Sequence, residues 1–216
     1  MTAVRSRRSL LAALVVLVLA AAAGVVIAVA LPGKAAARAE SRIEPLADAP
    51  IAPQLKAGIA TAAQRAKANG VQEVAAQGAS ATDRAGIAVA HAAGGREVFA
   101  FFTPHSFTDF YSAADLTAAT PLIVQTSIRA ASDGSTGHVD IMGVVPRSVK
   151  SVTLQLVSGS SLPADLVNAG GGYSYFTYTS DTPTKFPQNV QAFAADGDQV
   201  AAHDLTADIA PPTNAG

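Results

Sequence analysis

The sequence predicts an α+β fold, in which an N-terminal transmembrane helix and an amphipathic helix precede a mainly antiparallel β-sandwich-like or small-barrel domain. Three observations support this prediction. An uncharged apolar run extends from Leu10 to Leu31. Apolar residues then recur at helical spacing after Pro53. From residue 81 onward the hydrophobic period changes to two, and turn signals separate short segments at roughly 8–12-residue intervals.

The apolar run is long enough to cross a membrane. Its 22 residues would form a helix about 33 Å long, and a bilayer hydrocarbon core is about 30 Å thick. Arg5, Arg7 and Arg8 precede it, so the positive-inside rule places residues 1–9 in the cytoplasm and the bulk of the chain outside. The run from Leu10 to Leu31 therefore predicts a single-pass anchor whose partner is the lipid bilayer.

Two other interpretations of this run remain open. Small residues at positions 28–30 and 35–37 match a signal-peptide cleavage site, although a secretory apolar region is typically only about 7–15 residues long. Residues 6–11 approach a twin-arginine signal but lack its Phe. An uncleaved anchor is preferred, the main alternative being secretion after cleavage. Every one of these interpretations places the C-terminal domain outside the cytoplasm.

The composition excludes several classes of function. The formal net charge of −1 offers no basic surface for nucleic acid. The absence of cysteine excludes disulfides, thiolate metal ligands and a cysteine nucleophile. The 185 residues that follow the apolar run are enough for one domain with a sizeable core, which must hold the fold without cross-links.

The chain divides into six regions by composition. Residues 1–9 form the cytoplasmic tail, 10–31 the transmembrane helix, and 32–52 a linker rich in proline and charge. Residues 53–80 are predicted to be helical: Pro53 suits the first turn, Leu55 and Ile59 begin an apolar stripe, and Gly70 is a C-terminal stop. Residues 81–206 form the β-rich domain, and 207–216 are expected to be disordered.

Within the β-rich region the turn signals predict individual elements. A hairpin is expected around residues 93–96, and a short helix is expected from Ser112 to Ala119, with Ser112 and Asp115 forming a capping box. Strands are expected at residues 122–128, 138–145, 151–157, 162–168, 173–179, 190–194 and 199–205.

One stretch resembles a known sequence pattern. Residues 143–154, Gly-Val-Val-Pro-Arg-Ser-Val-Lys-Ser-Val-Thr-Leu, resemble a G-x-V-P-D-G-V-x-x-V-x-L signature. This signature is similar to that of uncharacterised single-anchor envelope proteins of high-GC Gram-positive bacteria. Residues 168–176 and 195–200 resemble the later segments of those proteins. The resemblance covers about a third of the chain, and it implies a β-rich fold and an envelope location without implying an activity.

Aromatic side chains supply the candidate binding residues. Residues 99–111 hold six of the twelve aromatic residues, and Phe107, Phe110 and Tyr111 are the candidates for contact with a partner. The alternative is that the strand residues fill the core while the loop packs over its end. Tyr173 and Tyr175 form a second candidate, as a ladder on one sheet face, with ordinary strand packing as the alternative.

The titratable residues suggest an alternative function. His105 and Asp109 lie in the aromatic loop, and His138 and Asp140 are two apart on a predicted strand, where they face the same side and would share a metal or a proton. The alternative for these residues is an ordinary solvated face. The sequence predicts a non-enzymatic module of the cell envelope that contacts an envelope protein or a glycan, with no cofactor or metal. The competing hypothesis is an extracytoplasmic hydrolase or metal-assisted enzyme that uses either of these pairs.

Overall fold

Antiparallel strands dominate the computed structural model, which describes residues 41–76, 84–117, 119–132 and 136–209. Two helices in these ranges are α1 (Pro53–Arg65) and α2 (Thr206–Ile209). The strands are β1 (Ser41–Pro45), β2 (Ala68–Ala76), β3 (Gly86–Ala92), β4 (Glu97–Phe102), β5 (Tyr111–Ser112), β6 (Ile123–Ala130), β7 (Thr136–Pro146), β8 (Ser151–Leu156), β9 (Ser161–Pro163), β10 (Tyr173–Ser180), β11 (Pro187–Phe193) and β12 (Gln199–Asp204).

The predicted transmembrane run from Leu10 to Leu31 lies outside the described residues. Within the ranges that the structure describes, no helix is both long and apolar enough to span a bilayer.

The strands form three antiparallel sheets. The first sheet has the order β1-β2-β3-β4-β5, the second has the order β10-β7-β6, and the third has the order β12-β11-β8-β9. Alternation along β7 shows how they stack, because successive side chains point to opposite faces. Met142 packs in a core with Phe99 of the first sheet, whereas Ile141 packs in a core with Leu154 of the third. The second sheet is therefore buried on both faces.

Helix α1 covers the outer face of the first sheet. Leu55 and Ile59 of the helix pack in one cluster with Ala88 of β3 and Phe102 of β4. The residues next to these two along their strands point to the other face of the sheet, toward the second sheet. Proline at the start of the helix has a fixed φ that suits the first turn, where its missing N–H is not needed. The amphipathic helix predicted from Pro53 is confirmed in position and in its buried face.

The predicted helical segment 53–80 is wrong in its second half. The helix ends at Arg65, and the chain reverses through Lys67, which has a φ of 54°. Gly70, expected as the helix stop, instead has a φ of 65° beside a register shift in β2. Alanine-rich sequence favours a helix locally, but pairing of β2 with both β1 and β3 overrides that preference.

Other local predictions also need correction. Part of the predicted linker is β1, whose charged Glu44 is paired with Arg84 rather than solvated. The predicted helix from Ser112 is a single 3₁₀ turn, Ala113–Asp115, in which Ser112 Oγ accepts from the Ala114 N–H. Helix α2 occupies the start of the tail that was expected to be disordered.

The strand expected at 162–168 is also shorter than predicted. Pairing with β8 covers β9 and ends at Ala164, whose N–H donates to the Val152 carbonyl oxygen at 2.9 Å, and Val167 forms an isolated bridge with Tyr175 instead. The predicted hairpin is confirmed: β3 and β4 pair across a turn in which Gly94 and Gly95 have φ values of 78° and 74°. Strands β6, β7, β8, β10 and β12 begin and end within two residues of their predicted bounds.

Candidate functional site

The aromatic segment divides between the core and the surface. Phe99 and Phe101 are buried between the first and second sheets, and Phe102 is buried beneath α1. Of the predicted binding residues, Phe107 and Phe110 are half-buried against the clusters on the α1 side of the first sheet. The side chain of Tyr111 is exposed.

Hydrogen bonds fix the loop that follows β4. The Thr103 N–H donates to the Ser106 carbonyl oxygen at 2.8 Å, and the Thr108 N–H donates to the Phe101 carbonyl oxygen at 2.8 Å. The Thr108 hydroxyl in turn accepts from the Phe101 N–H at 3.0 Å. These bonds turn residues 103–108 back along the end of β4, so the loop has one defined conformation.

Phe107 attaches this loop to helix α1. A Cβ atom built on Gly58 would lie 2.7 Å from Phe107 Cε1, well inside contact distance. Glycine at position 58 therefore lets the phenyl ring pack directly on the helix backbone. Most of the Phe107 ring serves this packing, so it positions the loop more than it offers a surface to a partner.

A groove lies between the loop and the N-terminal turn of α1. It has a volume of about 560 Å³ and combines apolar and polar groups. Its lining residues are Ala52, Gln54, Leu55, Pro104, His105, Ser106 and Phe107. Because both of its walls are fixed by packing and hydrogen bonds, the groove is preorganised.

Tyr111 is the most exposed ring of the aromatic segment. It lies on β5, at the edge of the first sheet, directly opposite Phe99 in the register. The two ring centroids are 5.9 Å apart, and Tyr111 is 47% exposed while Phe99 is fully buried. A half-exposed tyrosine held against a buried ring presents a rigid contact area with a polar tip.

The tyrosine ladder predicted on β10 is not on an exposed face. Tyr173 and Tyr175 do share a face, but that face packs against the first sheet, and Tyr175 is fully buried. Tyr178 packs on the opposite face in the other core and donates to the Lys185 carbonyl oxygen at 2.7 Å. Because the second sheet is covered on both sides, Tyr175 is a core residue and offers no surface to a partner.

Tyr175 takes part in a buried polar pair that sequence reasoning missed. Its hydroxyl donates to Glu97 Oε1 across the interface between the first and second sheets. Burial, and next the hydrogen bond to Glu97, raises the pKa of Tyr175 well above its usual range, so the phenol keeps its proton. A Cβ atom on Gly171 would overlap Glu97 Oε2, so glycine is required where the loop covers this carboxylate.

His138 and Asp140 are brought together as their spacing predicts. The His138 Nε2 atom lies 2.9 Å from Asp140 Oδ1, and Nδ1 contacts the exposed carboxylate of Asp181. Thr179 Oγ1 lies 3.2 Å from the same Nε2 atom. The carboxylate of Asp140 is almost fully buried, with Arg129 Nη2 at 4.0 Å from Oδ2. Sequence reasoning did not identify Asp181, which lies on the turn after β10.

This arrangement shares part of its geometry with a nucleophilic triad. In a triad the carboxylate and the nucleophile bond to different imidazole nitrogens, so that the histidine relays a proton between them. Here Asp181 and Thr179 do approach different nitrogens, Nδ1 and Nε2, but Asp140 Oδ1 lies closer to Nε2, at 2.9 Å, than Thr179 Oγ1 does, at 3.2 Å. The geometry therefore ties the ends of β7 and β10 together.

The other predicted pair is not assembled. Among the described residues, no hydrogen bond or ion pair joins His105 to Asp109, and both side chains are exposed. In the same ranges, no cluster of three or more histidine and carboxylate side chains is placed to hold a metal ion.

A buried ion pair is the second feature that sequence reasoning missed. Arg84 Nε donates to Glu73 Oε1 at 2.7 Å, and Arg84 Nη2 lies 3.2 Å from Glu44 Oε1. Glu73 is fully buried, and burial, against the opposing effect of Arg84, holds its pKa above the ordinary glutamate value. The available signal was a glutamate that lies, with Gln72, between the apolar residues of the stretch 71–76.

The fold and these sites define a mainly antiparallel β protein with one helix packed on its first sheet. Comparison with known proteins adds no relative: no family model matches the chain, and neither the curated proteins nor the solved structures include a detectable match.

Proposed function

We propose that this chain is a single-pass, membrane-tethered module of the cell envelope that acts outside the cytoplasm by contact rather than by catalysis. Its partner is an envelope protein or a glycan. The apolar run from Leu10 to Leu31, with arginines before it and none within it, supports the tether and its orientation. The observation that most directly supports a role in binding is the half-exposed ring of Tyr111, which is held against the buried ring of Phe99.

The proposed contact surface is the ring of Tyr111, which shares the Phe99 face of the first sheet. The groove with His105 lies on the opposite, α1 side of this sheet and is a second, separate candidate. Tyrosine is favoured in recognition because it supplies a large contact area at little cost in conformational entropy. The hydrogen-bonded loop and the Phe107–Gly58 packing remove further motion, and preorganisation increases affinity. Gln54 and Ser106 line the groove next to the ring of Phe107.

Cysteine labelling tests the location. The chain contains no cysteine, so an introduced residue is its single thiol. In intact cells a membrane-impermeant maleimide is expected to label Ser158→Cys, in the exposed turn after β8, and to leave Ala3→Cys unlabelled until lysis. Labelling of Ala3→Cys in intact cells would overturn the orientation. Recovery of the Ser158→Cys protein from the medium without its first 31 residues would support secretion instead.

Substitution of Tyr111 tests the contact surface. A photo-crosslinking residue at position 107 or 110 would disturb packing, so position 111 is the appropriate site for capture from intact cells. Tyr111→Ala is expected to weaken binding to the captured protein or isolated cell-wall glycan by at least about 10-fold, and Tyr111→Phe by less. Val157, which is 57% exposed at the end of β8, supplies the matched control Val157→Ala. Equal binding by the Tyr111→Ala and Val157→Ala variants would refute this assignment.

A further inference from the structure

Strand β6 is an exposed sheet edge. It ends the order β10-β7-β6, and among the described elements β7 is the one with which it pairs. Four of the other terminal strands are short, charged or interrupted by proline: β5 has two residues, β9 has three including Pro163, β1 carries charges and ends at Pro45, and β12 has six residues and ends at Asp204. The outer edge of β10 is partly occupied, because its Thr177 N–H donates to Ser41 Oγ and its Tyr175 bridges to Val167. Strand β6 has eight residues and no charge before Arg129. Long, uncharged edges are templates for pairing with another strand.

The outward-facing groups of β6 can be assigned from one hydrogen bond. The Thr126 carbonyl oxygen accepts from the side-chain amide of Gln125, which places this carbonyl on the outer edge. Outward-facing backbone groups alternate along a strand, so those of Val124 and Ile128 share this edge. A cavity of about 430 Å³ opens beside these residues, and Ile128 is 37% exposed.

These three residues are self-complementary in an antiparallel register. With a two-fold axis through Thr126, Val124 of one copy lies opposite Ile128 of the other, and Thr126 lies opposite itself. Apolar pairs and threonine pairs directly across an antiparallel ladder are stabilising. Along β6 itself the register places no like charges opposite each other, since Arg129 lies opposite Ile123. The charged group beside Thr126 is Asp208, whose Oδ2 atom accepts from the Thr126 hydroxyl at 3.4 Å. Moving the axis by one residue, to Ser127, places Ile128 opposite Thr126 and Val124 opposite Ala130, so both Val124–Ile128 pairs are lost.

We infer that β6 pairs with β6 of a second copy of this chain, joining the two second sheets into a continuous six-stranded sheet. The interface is isologous, because the same strand serves both copies, and closed two-fold assembly leaves neither β6 edge exposed. The inference depends on the edge and its residues, and not on the proposed contact surface around Tyr111.

Disulfide trapping of the full chain in detergent tests this pairing. Residues directly opposite in a hydrogen-bonded antiparallel pair have Cα atoms about 5.5 Å apart, which suits a disulfide. Under a mild oxidant Thr126→Cys is expected to yield at least about 10-fold more covalent dimer than Val157→Cys, whose side chain is also exposed. Equal yields from the two variants would overturn the inference, as would cross-linking of Thr126→Cys in cells to a different polypeptide.

A charge on the edge provides an independent readout. Ile128→Lys is expected to convert the dimer to a monomer in light-scattering measurements, whereas Val157→Lys leaves the dimer intact. Both side chains are exposed, so neither change disturbs the core, and tyrosine fluorescence checks that each variant is folded. A wild-type chain that is monomeric, or an Ile128→Lys variant that stays dimeric, would rule out β6 as the interface.

Discussion

Replacing Arg84 with methionine is expected to lower the free energy of unfolding by about 3–5 kcal/mol at pH 8, because it leaves a buried carboxylate without its partner. Glu73 is fully buried on β2, and Arg84 Nε is 2.7 Å from its Oε1 atom. Arg84 also lies 3.2 Å from Glu44, so its loss leaves two carboxylates without this charge. Urea unfolding followed by tyrosine fluorescence measures the effect in a chain that has four tyrosines and no tryptophan.

The size of this effect is expected to depend on pH. Burial raises the pKa of Glu73 in the folded state, so the folded chain binds more protons than the unfolded chain at pH values above the ordinary glutamate pKa. Glu73 therefore contributes stability that is complete below that pKa and is lost as the pH rises through the folded pKa. Without Arg84 the pKa of Glu73 in the folded state rises further. The stability that is lost as the pH rises is then larger, and the loss extends to higher pH.

Two control variants isolate the buried charge. Glu73→Gln in the Arg84→Met background is expected to recover most of the lost stability at pH 8 and to remove the added pH dependence. Arg42→Met changes an arginine whose side chain is 55% exposed, and it should cost less than about 1 kcal/mol. An Arg84→Met penalty that is the same at pH 5 and pH 8 would contradict the assignment to Glu73.

The two-residue period of hydrophobic residues predicted the strands of the second sheet better than it predicted the elements around α1. Strands β7 and β10 are rich in β-branched and aromatic residues and are bounded by turns, so local preference and tertiary pairing agree. Strand β2 contains three alanines and follows a helix, and its strand structure arises from pairing with β1 and β3. Strand β1 escaped detection because Glu44 is satisfied by Arg84, forty residues away in the chain.

The candidate site could be predicted only where its geometry is local. His138 and Asp140 are two residues apart on one strand. Because side chains alternate between the two faces of a strand, this spacing alone places both of them on one face. Asp181 reaches the same ring from the turn after another strand, and its position depends on the β7–β10 register. For Tyr175 the shared face with Tyr173 was predictable, but its burial depends on the first sheet stacking over the second.

Gly143 lies where the second sheet leaves no room for a side chain. On β7 it is directly opposite Phe176 of β10, and a Cβ atom at position 143 would lie 2.1 Å from Phe176 Cζ. Phe176 is fully buried in the core shared with the third sheet. The phenyl ring therefore covers the glycine and occupies the space that any side chain at position 143 needs.

Gly143→Ala is accordingly expected to destabilise the fold by about 3 kcal/mol, because the ring of Phe176 has to leave its packed position. Phe176→Ala by itself should cost about 3–5 kcal/mol through loss of the buried ring. In the Phe176→Ala background the clash is absent, so adding Gly143→Ala should be neutral or stabilise by up to about 1 kcal/mol, since alanine is favoured over glycine in a strand.

The double-mutant cycle built from these variants measures the coupling between the two positions, which is expected to reach about 3 kcal/mol. Urea midpoints and slopes for the four proteins supply the free energies, and unchanged slopes show that unfolding exposes the same surface. Gly172→Ala is the matched control, because a Cβ atom there meets no atom within 4 Å. Additive effects at positions 143 and 176 would mean that the ring does not cover the glycine, and the register of β10 against β7 would then have to differ.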